Sequence, residues 1–94
     1  MTQESELQLE TTANGVLGSL ALTIAPGTKA AARDRALDGA LARPLADAAA
    51  KLSVVLAAAP STFAFQQPGK DDRGRTRFLV SGRVEGDRLV PARP

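Results

Sequence analysis

Polar and apolar residues alternate from Glu6 to Glu10 (Glu6-Leu7-Gln8-Leu9-Glu10), the period of a strand with one buried face. Asn14-Gly15 follows, a dipeptide that tolerates the positive φ of a tight hairpin turn. Val16, Gly18, Leu20, Leu22 and Ile24 then fall on one side, with Ser19, Ala21 and Thr23 on the other. The pattern predicts a hairpin with strands near 4–12 and 16–24.

Ala25-Pro26-Gly27 ends the alternation, and Thr28 is a suitable helix N-cap. From Lys29 to Ala59 the apolar period becomes helical. Leu37, Leu41, Leu45, Ala48, Leu52, Val55, Leu56 and Ala59 step by three or four, and Asp47 and Lys51 form a favourable i,i+4 pair. Pro44 removes one backbone hydrogen bond and crowds the preceding turn. The stripe nevertheless keeps its phase through it, so the expectation is one helix kinked near Gly39–Pro44, with two helices meeting there as the second choice. A straight helix of that length spans roughly 45 Å, so either a kink or a protruding end is expected; the Leu/Ala stripe reads first as core, and the alternative is that its far end, near Leu52 to Ala59, overhangs the sheet and packs against a partner.

Pro60 stops the helix. Phe63 and Phe65 then mark a third strand over 62–66, followed by a polar loop from Pro68 to Gly74. Residues 75–85 alternate again: Phe78, Val80, Gly82 and Val84 on one face, Arg75, Arg77, Leu79, Ser81 and Arg83 on the other. Glu85-Gly86-Asp87 is a turn, and Arg88–Pro91 a short last strand. All three Phe are expected to point inward. The order is ββαβββ: an α+β fold with a single antiparallel sheet, one face covered by a long Ala-rich helix kinked or broken near Pro44. Residues 1–94 make one small domain, with 1–3 and 92–94 frayed. In element order alone, and with no shared sequence motif, this resembles the centre of roadblock/LC7-like and longin domains.

Composition narrows the chemistry. The chain has 94 residues, 12 Lys and Arg against 10 Asp and Glu, and no Cys, His, Trp or Tyr. It therefore lacks thiolates, disulfides, the commonest metal ligand and the commonest neutral-pH acid and base. No catalytic motif is visible, so the expectation is a protein that is not an enzyme and needs no cofactor. Eighteen of the apolar residues are Ala, which leaves a thin core and favours completion by a partner. The N-terminal segment is acidic and polar rather than a targeting signal, and no run of about 20 apolar residues occurs; a cytoplasmic protein with no membrane partner is expected. The Arg, Ala, Gly and Pro usage suggests a GC-rich genome, bacterial or phage.

Asp71-Asp72 and the i,i+4 pair Asp34 and Asp38 are surrounded by Arg or Lys and read as solvated charge. Gly27-Thr28-Lys29 does not complete a phosphate-binding motif, so no metal or cofactor residues are assigned. The distinctive polar feature is a basic final third. Residues 66–94 sum to +3 and residues 1–27 to −3. Lys70, Arg73, Arg75, Arg77 and Arg83 are candidates for contact with an anion or an acidic partner, with Arg75, Arg77 and Arg83 expected along one outward face. Glu6, Gln8 and Glu10, outward on the first strand, offer those arginines partners within the sheet. Leu52, Leu56, Phe63, Phe65 and Phe78 are the candidate interface. Edge strands, the N-terminal hairpin or Arg88–Pro91, are further places for a neighbouring chain to add.

The favoured function is a small protein–protein interaction or assembly module, acting as a homo-oligomer or as a subunit of a larger complex. The alternative is a nucleic-acid-binding accessory protein using the Arg-bearing sheet face.

Overall fold

The computed structural model describes residues 5–70 and 72–92. Glu4, Asp71 and, apart from Ala92, the ends expected to fray at 1–3 and 92–94 lie outside them. The first hairpin forms as the alternation requires, from β1 (Ser5–Thr12) and β2 (Gly15–Leu22), in a register that pairs Glu6 with Ala21 and Thr12 with Gly15. The turn falls on Ala13 and Asn14, one residue earlier than expected. Thr12 Oγ1 donates to the Gly15 carbonyl at 3.1 Å and accepts from the Asn14 N–H at 3.3 Å. Gly15 is needed in the strand instead: a Cβ there would lie 2.0 Å from the Gly82 carbonyl oxygen of the neighbouring strand.

One continuous helix, α1 (Ala30–Lys51), runs through Pro44. Its 22 residues span about 33 Å. Leu37, Leu41, Leu45, Ala48 and Ala49 are its buried stripe. The helix ends eight residues earlier than the apolar period implied. Ser53 adopts a left-handed φ of 58°. Its N–H bonds the Ala50 carbonyl, and the Val54 N–H bonds the Ala49 carbonyl at 2.9 Å, the paired bonds of a Schellman stop. Glycine adopts the φ of Ser53 without strain. Ser53→Gly is accordingly expected to stabilise the fold by roughly 0.5–1 kcal/mol, after the greater freedom of glycine in the unfolded chain is subtracted. Urea unfolding followed by far-UV circular dichroism measures this. The overhang of the helix is at its other end. Ala30, Ala31 and Ala32 are exposed, the N-cap position is Lys29 without a side-chain cap, and Thr28 turns back to the Ala25 carbonyl.

After the helix the chain makes a strand that periodicity did not reveal, β3 (Val55–Leu56). The 3₁₀ turn Pro60–Phe63 leads into β4 (Ala64–Lys70), then β5 (Thr76–Glu85) and β6 (Arg88–Pro91). The strands form one sheet in the order β1-β2-β5-β6-β3, with β4 on β5. β4 and β6 share the same edge of β5, pairing with its first and second halves respectively. β3 lies parallel to β6, so the sheet is mixed rather than purely antiparallel. The extra strand also breaks the ββαβββ order behind the likeness to roadblock/LC7-like and longin domains. β6 has neighbours on both sides and is not an edge.

The helix and the 3₁₀ turn cover one face of the sheet. Val16, Leu20 and Leu22 of β2, Phe78 and Val80 of β5, and Leu89 of β6 point into this core with Phe63 and the helical leucines. Gly82 makes room for Phe63, whose ring would stand 3.0 Å from a Cβ added there. Asp38 is a structural tie, since its carboxylate accepts the Ser61 N–H at 2.8 Å and so joins α1 to the 3₁₀ turn.

Candidate functional site: the open face of the sheet

The other face carries no covering element among the described residues. Its residues follow from alternation and register. Glu6, Ala21 and Arg77 lie in one row across β1, β2 and β5. Gln8, Ser19, Leu79 and, on β4, Phe65 form the next. Glu10, Leu17 and Ser81 form a third, and Thr12, Gly15, Arg83 and, on β6, Val90 a fourth. Val55 extends the face on β3, in register with Arg88. Leu17, Val55 and Phe65, the large apolar side chains that stay exposed, at 52%, 60% and 44%, all lie here.

Two depressions mark this face. One is a polar groove of about 410 Å³ between the first ends of β1 and β5, the last half of β2 and the loop before β5, lined by Glu6, Ser19, Asp72, Arg73, Arg75 and Arg77 among others. The second, of about 270 Å³, lies beside it over Gln8, Glu10, Leu17, Ser19 and Leu79. Three guanidinium groups face two carboxylates in the groove.

The arginine stripe is interrupted. Arg75 sits one residue before β5, on the loop that folds over the groove, and is only 8% exposed. It meets Glu6 at 3.5 Å. A buried guanidinium needs such partners, since an unpaired charge out of water is costly. Arg83 donates from Nε to Glu85 at 2.7 Å. Arg77 makes no ion pair among the described residues. Outward on β5 this leaves Arg77 and Arg83, six residues or about 20 Å apart. Arg73 stands on the groove's rim, and Lys70 is exposed at the end of β4.

Of the five residues marked for an interface, Phe63 and Phe78 are each 2% exposed in the core, and Leu52 and Leu56 pack against it. Phe65 alone opens to solvent. The 3₁₀ turn explains this, because Phe63 belongs to it rather than to β4, and the two rings end up on opposite sides of the sheet. Sequence reasoning missed Leu17 and Val55 as surface residues. The alternation of β2 already placed Leu17 with Ser19 and Ala21, but a lone leucine among small and polar residues gives no further signal.

Asp34 meets Arg33 at 3.6 Å on the helix surface. Among the described residues no group of three carboxylates could hold a metal ion, and no helix is long and apolar enough to cross a membrane. Comparison with known proteins found no matching family model, no similar curated protein and no similar solved structure.

Proposed function

We propose that this chain is a small protein–protein interaction or assembly module that acts through the uncovered face of its sheet. One observation carries the reading: Leu17, Val55 and Phe65, from three different strands, all emerge on the face opposite the helix. Scattered exposed apolar residues need no explanation, whereas their collection on one face with a charged margin is the pattern of an interaction surface. Catalysis has little support here, since the polar groups of the groove are guanidinium, carboxylate, amide and hydroxyl groups with no imidazole or thiol among them.

A second reading draws on Phe65. An exposed aromatic ring in register with Leu79, on the face that also presents Arg77, resembles the stacking platform of a single-strand nucleic-acid binder. Against it, Arg75 is occupied within the fold, and Glu6 and Glu10 on the same face repel phosphates. Size-exclusion chromatography with light scattering, read by refractive index and by absorbance at 260 nm, separates the two. A protein without Trp or Tyr is nearly transparent there. The module reading expects no 260 nm signal, with an assembly larger than the 9.7 kDa chain where the partner is a second copy. A monomer carrying 260 nm absorbance that salt removes would favour the second reading and overturn the first.

A further inference from the structure

Resting on the reading of the open face as an interface, we propose that its occupant is a second copy of this chain, packed face to face about a two-fold axis parallel to β2. The charge pattern selects both the partner and the axis. The face is acidic on β1, with Glu6 and Glu10, and carries Arg77 and Arg83 on β5, across β2 from them; Arg83 shares its guanidinium with Glu85 of its own strand, so Arg77 is the one of the two without an ion pair among the described residues. Between them β2 presents Leu17 flanked by the small residues Ser19 and Ala21. Isologous contacts apply one patch to itself. A two-fold parallel to the strands and lying over β2 exchanges β1 and β5, so β1 of each copy lies over the arginines of the other. Glu6, which also meets Arg75 within its own copy, then faces Arg77 of the same row, and Glu10 reaches toward Arg83, one row away and shared with Glu85. An axis across the strands would instead set β1 over β1, carboxylate against carboxylate.

Other occupants satisfy only half of this face. A polyanion meets the arginines but also the two glutamates, and an acidic protein surface does the same. Edge-to-edge pairing of two β1 strands is disfavoured for a related reason. The register that centres such a pair on Gln8 sets Glu6 directly opposite Glu10, and like charges in that position destabilise. Facing sheets also bury Leu17, Leu79 and Phe65, which an edge contact leaves in water. Strands β1, β2, β5 and β4 span about 19 Å across and eight residues about 27 Å along, roughly 500 Å² in projection. With side-chain relief this is of the order of the about 800 Å² that each partner of a standard complex buries.

Sedimentation equilibrium of the full chain and three variants tests the proposal, with far-UV circular dichroism to establish that each is folded. The substituted positions are exposed, so the fold is expected to survive. The wild-type chain is expected to dimerise. Leu17→Arg buries a charge at the centre of the contact and is expected to weaken the dimer at least about a hundredfold. Glu10→Arg and Arg83→Glu, each occurring twice per dimer, are expected to weaken it by roughly tenfold. Mixed in equal amounts, those two variants form a dimer in which the exchanged charges face each other on one side. On its other side Glu10 of the second variant still faces Arg83 of the first. The mixture is therefore expected to recover to within about threefold of wild type. A dimer abolished by Leu17→Arg in which the mixture gains nothing over its components overturns the two-fold geometry. A chain that stays monomeric at millimolar concentration overturns the second copy as occupant. A dimer indifferent to Leu17→Arg overturns this inference together with the reading of the open face.

Discussion

Phe78→Ala is expected to lower the free energy of unfolding by about 3–5 kcal/mol. A domain of 94 residues has roughly 5–14 kcal/mol to lose, so this one change removes a large part of the stability. The ring is 2% exposed and sits in the middle strand of the sheet, in register with Leu20 and Gln66. Its neighbours cannot close the space, because they are held by the strands on either side, and the alanine-rich helix above offers few large side chains to fill it. Phe65→Ala is the internal comparison. That ring is 44% exposed on the other face, and its loss is expected to take less than about 1 kcal/mol from the monomer. Urea unfolding followed by circular dichroism measures both, since the chain has no Trp or Tyr for fluorescence. Equal losses at the two positions would show that the assignment of faces is wrong.

Gly18→Ala is expected to destabilise by roughly 2–4 kcal/mol, although it adds a single methyl group. The β1 backbone crosses so close that a Cβ at Gly18 would lie 2.0 Å from the Gln8 carbonyl oxygen and 2.8 Å from the Leu9 Cα. These are backbone atoms in the ladder and cannot turn aside. Relief requires β1 to move away, which pulls Leu7 and Leu9 off the core they pack against and shifts the acidic margin of the open face. Gly39→Ala in the helix is the contrast. Nothing lies within 4 Å of its added Cβ, and alanine is the better helix former, so a gain of about 0.5–1 kcal/mol is expected. Opposite signs for the same chemical change at two glycines would separate backbone crowding from propensity.

These two sites also indicate what could be read from the sequence. The faces of β5 were legible, because Phe78, Val80 and Gly82 alternate with Arg77, Leu79 and Ser81 over a stretch long enough to fix the phase. The helical stripe through Leu37, Leu41 and Leu45 was legible for the same reason, and it carried the helix through Pro44. The end of the helix was not. Val55 and Leu56 continue the three-to-four spacing, but Ser53 turns the chain over and a two-residue strand forms beside β6, a pairing with a segment more than thirty residues away. Local period carries no information about such a partner. The outward turn of Phe65 was hidden by the 3₁₀ turn before it, which resets the alternation that Phe63 and Phe65 had suggested. Arg75 kept the parity of the outward arginines, yet it precedes the strand, on the loop, and is buried beside Glu6. The charge asymmetry between the two ends of the chain was visible at once. Its arrangement on two strands of one face, on either side of β2, needed the register of β1, β2 and β5.

If the open sheet face is the surface through which this chain assembles, backbone amide spectra over a dilution series locate the contact residue by residue. As concentration rises, resonances of Leu17, Ser19, Leu79 and Phe65 are expected to shift together, while those of Ala30 to Ala32 at the exposed start of the helix stay fixed. Shifts confined to that end of the helix, with β2 and β5 unchanged, would show that the chain assembles through another surface.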